Sequence, residues 1–197
     1  MSESRDLHLE AFPLQAGELN LLPINGDHVE PMLRIMSSGG VYEGLASIPR
    51  KPDLPFAQDR VAELCQQIEE NRLLQLVAEY EGVIVGTIGL GLNWKHRHGG
   101  LGYQLDKPYR GRGFASRMLQ KIVDHGFDQM ELNRIWAETF VDNSASSSLL
   151  RRNGFEFEGV KREAWFKDGQ YLDADTWSLI ASDPRPWKKN RIMNDDV

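Results

Sequence analysis

The sequence GYQLDKPYRGRGF at residues 102–114, followed by ASRMLQKIV at residues 115–123, decides the fold of this chain. Its first part alternates apolar residues as a β-strand does, and its last part spaces them as an amphipathic helix does. Between the two, Gly111 and Gly113 can take backbone angles that other residues avoid. Successive N–H groups can therefore converge on one point at the positive end of the new helix. The pattern predicts a strand, an anion-binding loop and a helix.

The arginines of this loop favour phosphate as the anion. Arg110 and Arg112 add local positive charge, and a guanidinium group matches phosphate oxygens in geometry. The alternative is an ordinary turn in which the glycines only end the strand and the arginines face water. Phe114 and Ala115 stand where a P-loop has Lys and Ser or Thr, which excludes that motif, and the third glycine of a dinucleotide fingerprint is missing.

The same loop resembles the acyl-coenzyme A loop of the GNAT N-acetyltransferases, whose pattern is Arg/Gln-x-x-Gly-x-Gly/Ala. Residues 110–115 match this pattern at every specified position. Four later blocks resemble the strand, helix, strand and closing hairpin of the family's RimJ/RimL-like branch: residues 133–135, 141–146, 149–159 and 167–173. The resemblance extends over residues 18–181, with the blocks in the family's order.

This resemblance implies the GNAT fold, an α/β (α+β) architecture. A mixed, mostly antiparallel sheet is flanked by helices, and its central strands splay apart around acetyl-coenzyme A. Residues 1–17 are then an N-terminal extension, residues 18–182 the acetyltransferase domain and residues 183–197 a solvated C-terminal tail. A length of 197 residues, with 41% apolar and 26% charged residues, fits one domain of this kind.

The composition argues against several other classes of protein. A net charge of −6 and a pI near 5.4 disfavour a dedicated nucleic-acid binder. The single cysteine, Cys65, cannot form an internal disulfide, which fits a reducing compartment. His96 and His98 lack a nearby carboxylate cluster, so we expect them to be solvated and no metal to bind. The polar start and the lack of a long apolar run predict a cytoplasmic protein without a membrane partner.

Apolar spacing and turn residues predict the other elements. The predicted strands are residues 18–24, 74–80, 83–92, 134–141, 155–165 and 171–180, and the predicted helices are residues 29–36 (capped by Asp27), 56–72 and 144–152. Residues 41–55 are predicted to be irregular and residues 94–100 to form a basic turn. Gly86, Gly89 and Gly91 indicate a bulge or a close backbone approach.

The resemblance assigns the residues that bind the cofactor. The backbone N–H groups of the loop hold the pyrophosphate, and the loop consists of Arg110, Gly111, Arg112, Gly113, Phe114 and Ala115. The end of the central strand at Leu105 pairs with the pantetheine arm and offers a donor for the oxyanion. Asn143 helps to hold that arm, and its position fits a helix N-cap equally well.

The resemblance also suggests a proton donor. Many GNAT enzymes carry a Tyr on the short helix after Asn143, and Leu150 stands at that position here. The RimJ/RimL-like branch instead has Asn-x-x-Ser, which this chain keeps as Asn143 and Ser146. Ser146 is therefore the candidate that bonds the departing thiol, and helix capping and solvation by a run of serines is the alternative.

The general base is not evident. Relatives often have an acid on the central strand where this chain has Gly100. Glu138, Glu79 and His98 remain as substitutes that act through water, and we take Glu138 as the candidate. At pH 7, deprotonation costs about 1–1.5 kcal/mol for an α-amine and about 4.6 kcal/mol for a lysine. A site without an evident base therefore favours an α-amine.

The irregular segment borders the acceptor in the resembling family. Tyr42, Glu43 and Leu45 are therefore candidates for the acceptor wall, and a plain surface connection is the alternative. We expect an acetyl-coenzyme A-dependent N-acetyltransferase, active as a monomer or homodimer on a protein N-terminus, a free amino acid or a small amine. Two other classes stay open. A non-catalytic acyl-coenzyme A-binding regulatory module is favoured by Gly100 and Leu150, and a coenzyme-independent interaction domain is disfavoured by the intact loop.

Overall fold

The computed structural model describes residues 6–188. The strands are β1 (Leu14–Ala16), β2 (Leu19–Pro23), β3 (Leu73–Tyr80), β4 (Val83–Asn93), β5 (His98–Leu105), β6 (Arg134–Phe140), β7 (Glu156–Lys167) and β8 (Gln170–Ile180). The helices are α1 (Val29–Met36), α2 (Val41–Gly44), α3 (Leu54–Glu69), α4 (Phe114–Asp128) and α5 (Ser144–Arg152). Short 3-10 turns occur at Leu9–Ala11, Gly26–His28 and Lys107–Tyr109.

The strands form a single sheet in the order β1-β2-β3-β4-β5-β6-β8-β7. Neighbouring strands are antiparallel except for β5 and β6, which are parallel. These two pair only from His98 to Gly100, opposite Arg134 to Trp136, and then diverge. The predicted mixed sheet with splayed central strands is confirmed.

The two faces of the sheet carry separate hydrophobic cores. Alternation along β3 places Leu74 and Leu76 in the core that contains α4, and places Leu73 and Val77 in the core that contains α1 and α3. Buried residues of α4 recur with helical spacing at Phe114, Met118, Leu119, Ile122 and Val123. The sheet therefore holds the start of α4 at the point where β5 and β6 separate.

Three local predictions need correction. Asn25, not Asp27, caps the first helical segment, because its Oδ1 accepts the Asp27 N–H at 3.0 Å and Asp27 lies inside the turn. Helix α3 begins before residue 56, because Asp53 caps it by accepting the Phe56 N–H at 2.9 Å and a proline is tolerated in its first turn. The segment predicted to be irregular contains α2.

The central strand begins earlier than predicted. His98 lies in β5 opposite Asn93 and not in a turn, because the hairpin with β4 extends to that pair. The expected close approach is found at Gly86, where a Cβ would lie 2.6 Å from the Gln104 carbonyl oxygen, and at Gly89, where it would lie 2.8 Å from that of Leu74. At Gly91 the nearest such atom is 3.9 Å away.

Both ends of the described chain pack against the domain. Strand β1 precedes residue 18 and pairs with β2, so the sheet begins inside the segment assigned to an N-terminal extension. Arg185 bonds Asp124 and Asp128 of α4 at 2.7 Å each, so this part of the tail is not a free solvated segment. Residues 189–197 of the predicted tail lie outside the described residues. No helix of the described part has the length and apolar character needed to cross a bilayer.

Candidate active site

A cavity of about 580 Å³ lies where β5 and β6 separate. We call it the main cavity. Ten of the predicted site residues line it: Leu45, Leu105, Arg110, Gly111, Gly113, Phe114, Ala115, Glu138, Asn143 and Ser146. Tyr42 and Glu43 line a neighbouring cleft instead, and Arg112 lines neither space. Most residues that the sequence singles out are thus brought together, although the chain separates them widely.

The loop before α4 has the backbone geometry of an anion cradle. Gly111 has a φ of 76° and Gly113 a φ of 78°, values that favour glycine. A Cβ at either position would meet no other atom within 4 Å, so the backbone angle and not crowding requires glycine there. No side chain among the described residues caps α4 at Gly113. The first-turn N–H groups of this helix are thus free of a side-chain cap beside the cavity.

The two arginines of the loop do different things. Arg110 Nε donates to the Leu105 carbonyl at 2.9 Å, and its guanidinium lies where a Cβ on Gly40 would be only 2.6 Å away. Arg110 therefore ties the loop to the end of β5 and packs closely against the residue before α2. The Arg112 guanidinium stacks over the rings of Tyr80 at 4.9 Å and Phe114 at 5.0 Å. It is held beside the loop, outside the main cavity.

The end of β5 is also tied to the segment before α2. Ser38 Oγ donates to Asp106 at 2.7 Å and accepts the Lys107 N–H at 2.9 Å. Asp106 is buried, and Arg34 lies 3.6 Å from its carboxylate. These contacts fix α2 as a wall of the cavity. The sequence offers no signal for them, because residue 38 and residue 106 are far apart along the chain.

The start of α5 supplies the polar end of the cavity. Asn143 Oδ1 accepts the Ser146 N–H at 3.1 Å, so Asn143 caps the helix as the alternative interpretation expects. The Ser147 hydroxyl lies 3.1 Å from Thr139 Oγ1, and Ser147 does not line the cavity. Leu150, where many GNAT enzymes have a Tyr, is fully buried in the core. Ser146 is the serine of this run that faces the cavity.

The position of the missing acid is filled by an indole ring. A Cβ at Gly100 would lie 3.0 Å from Cζ2 of Trp136, because the parallel pairing sets these residues side by side. On the same strand as Trp136, Glu138 lines the cavity with a side chain only 11% exposed and forms an ion pair with Lys161. Neither of the other two substitute bases, Glu79 and His98, lines the cavity. Among the described residues, Glu138 is the acid that lines the main cavity, and it is paired with a lysine.

The neighbouring cleft is closed by side chains that the sequence does not connect. Lys167 Nζ donates to the carbonyls of Tyr42 and Leu45, the latter at 2.6 Å, and lies 3.8 Å from the centre of the Tyr42 ring. The Tyr42 hydroxyl donates to Asp168, which lies 3.8 Å from Arg50. We call Tyr42, Arg50, Lys167 and Asp168 the hairpin clamp, because it fastens the turn between β7 and β8 to α2.

The clamp alters the ionisation of its own members. The hydrogen bond to Asp168 is the main cause that raises the pKa of Tyr42. Burial lowers the pKa of Lys167, while Asp168 and Glu43 act in the opposite direction. The pKa of Tyr42 rises from an ordinary value of 10.0, so its hydroxyl keeps the proton that it donates to Asp168 at neutral pH.

Two further residues of the main cavity were missed by sequence reasoning. Tyr103 and Gln104 are adjacent on β5 and line the cavity, and their side-chain oxygens are buried without a hydrogen-bond partner among the described residues. Their position before the loop was visible in the sequence, although nothing there marks them as buried. Within residues 6–188, no three His, Cys, Asp or Glu side chains come together as a metal site would require.

Comparison with known proteins shows the family. The GNAT acetyltransferase domain model matches residues 18–156. The uncharacterized N-acetyltransferase YoaA of Bacillus subtilis is 39% identical over 98 residues, which are 49% of this chain and 55% of that protein. The L-amino acid N-acetyltransferase AaaT of Escherichia coli is 26% identical over 148 residues, which are 74% of this chain and 87% of that protein. This chain thus spans about half the length of the first relative and most of the second.

Solved structures show the same fold. One is an acetyl transferase from Salmonella typhimurium described as modifying the N-terminal serine of ribosomal protein L7/L12. It superposes with a TM-score of 0.78 at 20% identity, covering 84% of this chain and 97% of that one. The predicted fold is confirmed, and the similar structures include the RimL ribosomal L7/L12 alpha-N-protein acetyltransferase, with a TM-score of 0.78 at 20% identity over 83% of this chain and 94% of that one. The N-acetyltransferase activity and the acetyl-coenzyme A donor that the sequence predicts are the activity and the donor of the GNAT acetyltransferases. The chain belongs to this GNAT acetyltransferase family.

Proposed function

We propose that this protein transfers the acetyl group of acetyl-coenzyme A to an α-amine, on a peptide N-terminus or a free amino acid. One observation carries the proposal: the glycine loop and Ser146 lie at the same cavity, between strands that diverge beside them. A carrier held at the loop would have its thioester near the start of α5. The cavity therefore offers both an anchor for the carrier and a hydroxyl for the leaving sulfur.

The loop, the end of β5 and Asn143 have separate roles in holding the carrier. The N–H groups of the loop from Arg110 to Ala115 bind the pyrophosphate, with Arg112 adding charge nearby. The end of β5 at Leu105 aligns the pantetheine arm and offers a donor to the developing oxyanion, and Asn143 supports that arm from the other strand. Fixed donors of this kind lower the barrier because they need no rearrangement when charge develops.

Glu138 and Ser146 account for the two proton transfers of the reaction. The acceptor nitrogen attacks the thioester carbon, the new C–N bond forms and the C–S bond breaks with its electron pair moving to sulfur. The nitrogen loses one proton, which Glu138 accepts through water, and the sulfur gains one from Ser146. Coenzyme A leaves as a thiol. Ser146 then takes a proton from solvent and Glu138 releases its extra proton to solvent, which returns the enzyme to its starting state.

The acceptor class follows from the lack of an unpaired carboxylate among the described residues that line the main cavity. Glu138 is paired with Lys161 and the position of Gly100 is covered by Trp136, so the site has little power to deprotonate a strongly basic amine. An α-amine is partly neutral at pH 7, whereas a lysine side chain costs about 3 kcal/mol more to deprotonate. AaaT is named for L-amino acids and the Salmonella enzyme for an N-terminal serine, which supports an α-amine acceptor.

We extend the proposal to the rest of the chain. Residues 18–182 form the catalytic domain, whose sheet β1 extends at one edge. Leu45 lies at the acceptor wall, Tyr42 supports that wall through the hairpin clamp, and Glu43 lines the neighbouring cleft. The half-buried Cys65 is the only cysteine, which supports a reducing cytoplasmic compartment. The working unit is a monomer or a homodimer.

The test is release of free thiol from acetyl-coenzyme A with three sets of acceptors. The sets are free amino acids, short peptides with free N-termini, and polyamines together with Nα-blocked lysine. We expect release with one or both α-amine sets and at least about tenfold slower release with the third set at pH 7. Preference for the third set would contradict the α-amine proposal. Calorimetric binding of acetyl-coenzyme A without turnover on any set would instead favour a regulatory module.

A further inference from the structure

Tyr103 lies on the face of β5 that packs under α4. Leu101 and Leu105, its neighbours on that face, belong to the hydrophobic core. The Tyr103 ring packs against this core and lines the main cavity, which Ser146 lines as well. Its hydroxyl oxygen is buried and meets no hydrogen-bond partner among residues 6–188. A buried hydroxyl without a partner is costly, so a protein that keeps one has a use for it.

Ser146 is the candidate partner for the Tyr103 hydroxyl. The backbone N–H of Ser146 is held by Asn143, which fixes the residue at the start of α5 and leaves its hydroxyl facing the cavity. Burial raises the pKa of Tyr103, and the Ser146 hydroxyl, as its close neighbour, acts in the opposite direction. Tyr103 is therefore a phenol with its proton in place, and it lines the same cavity as the Ser146 hydroxyl.

We propose that Tyr103 is a positioning residue for Ser146: its O–H donates to Ser146 Oγ and directs the serine hydrogen at the sulfur of departing coenzyme A. This inference rests on the proposed acetyl transfer and on Ser146 as its proton donor. A serine hydroxyl alone has no preferred direction, whereas one that accepts a hydrogen bond has its own hydrogen turned away from the donor. Two O–H groups in a chain also polarise each other, which makes the second a better donor.

The proton that reaches the sulfur moves along the same pair of hydroxyl groups. When the C–S bond breaks and its electron pair moves to sulfur, Ser146 gives its proton to the sulfur and Tyr103 replaces that proton on Ser146 Oγ. After the thiol leaves, solvent that enters the cavity returns a proton to the chain. No oxidant, metal or further reactant is needed.

The experiment compares Y103F, S146A and the double variant, with Y171F as the matched control. Tyr171 is 65% exposed at the end of the hairpin, so its hydroxyl serves as a surface reference. We expect Y103F to lower kcat about tenfold while KM for acetyl-coenzyme A stays within about twofold. S146A should lower kcat further, and the double variant should equal S146A, because Tyr103 acts only through Ser146. Additive losses in the double variant would overturn the proposal.

A second measurement does not depend on turnover. The ultraviolet absorbance of the thiolate reports the thiol pKa of coenzyme A bound to each variant. A hydrogen bond from Ser146 stabilises the thiolate, so we expect a lower thiol pKa on the wild type and on Y171F. On Y103F and S146A it should be higher by about 0.5 to 1 unit. Equal values on all four proteins would overturn the proposal.

The two measurements separate this inference from the function on which it rests. If no acceptor releases thiol but the thiol pKa depends on Tyr103 and Ser146, acetyl transfer fails and the hydroxyl pair stands. If transfer proceeds and the thiol pKa is unchanged in the variants, the hydroxyl pair fails and acetyl transfer stands. Y103F keeps the ring that packs against the core and removes one hydroxyl, so we expect it to fold.

Discussion

The candidate site comprises the main cavity and the neighbouring cleft, and its donor and acceptor halves are built in different ways. The donor half, the loop at residues 110–115, uses the backbone of six consecutive residues and the positive φ angles of two glycines. The acceptor half uses side chains that meet from distant parts of the chain. Tyr42 and Asp168 are 126 residues apart, and Glu138 and Lys161 are 23 residues apart. One half is a local backbone conformation, and the other exists only after the whole domain has folded.

The two halves differ in the free energy that a substitution is expected to cost. A backbone cradle tolerates little change, because a single Cβ at a left-handed position strains the peptide that must face the anion. Ion pairs near the surface contribute little each and are screened by salt. We therefore expect substitutions in the donor half to abolish binding and those in the acceptor half to retune it. The following experiments, in order of decreasing effect, test that expectation.

The largest effect is expected for G113V. Valine strains the backbone at a φ of 78° and misaligns the N–H groups that face the pyrophosphate. With two charge-assisted hydrogen bonds lost, acetyl-coenzyme A affinity should fall about a thousandfold by calorimetry. The control is G82V in the β3–β4 turn, where φ is 76° and the space is equally open. Both variants should lose about 1–2 kcal/mol of folding free energy, so equal affinities in the two would disprove the cradle.

The next effect is expected for S146A, at the boundary between the halves. Loss of the proton donor should lower kcat about a hundredfold with little change in acetyl-coenzyme A affinity. Single-turnover kinetics and calorimetry measure the two quantities separately. S148A is the matched control, because Ser148 lies on the same helix and does not line the cavity. A variant that loses affinity and keeps its rate would place Ser146 in cofactor binding instead.

An intermediate effect is expected in the acceptor half for K167M. Methionine keeps the length of the side chain and removes the donor to the Tyr42 and Leu45 carbonyls. The wall around Leu45 should loosen, and KM for the acceptor amine should rise about tenfold while acetyl-coenzyme A affinity stays unchanged. K51M, at an exposed lysine near the clamp, is the control. A large loss of acetyl-coenzyme A affinity in K167M would show that the halves are not independent.

The smallest effect is expected for E158Q, and it concerns stability alone. Hydrogen bonds from Arg134 hold the pKa of Glu158 at about 2, below its ordinary value of 4.5. This stabilisation is present above pH 4.5 and is lost as the pH falls towards 2. The Glu158 side chain is 37% exposed, so we discount the shift and expect about 1 kcal/mol at neutral pH.

Chemical denaturation at pH 7 and at pH 2 measures this difference. E158Q should be less stable than the wild type at pH 7 and equal to it at pH 2, with turnover unaffected. E156Q, at an exposed carboxylate on the same strand, is the control. A destabilisation that persists unchanged at pH 2 would mean that the ionised carboxylate is not its source.

The same contrast explains what could be predicted from the sequence. The loop at residues 110–115 was identified because its conformation depends on neighbouring residues. The contact between Gly100 and Trp136 could not be, because it depends on the register of β5 against β6. The placement of Tyr42 in the clamp likewise depends on where the far hairpin folds back. Helix capping could be predicted only in part. Asn143 caps its helix as the sequence suggests, whereas Asn25 caps the first helical segment in place of Asp27, which lies two residues later.

The short parallel pairing of β5 and β6 has a mechanical consequence. The two strands form a fork whose vertex is at Gly99 and Gly100, and a Cβ at either glycine would lie 3.0 Å from Leu132 or Trp136. Each further residue along a strand lies about 3.3 Å farther from the paired end. A displacement of a few tenths of an ångström at the vertex is therefore magnified at the mouth, where the loop and Ser146 must hold one substrate between them. The width of the main cavity therefore depends on two glycines that do not line it.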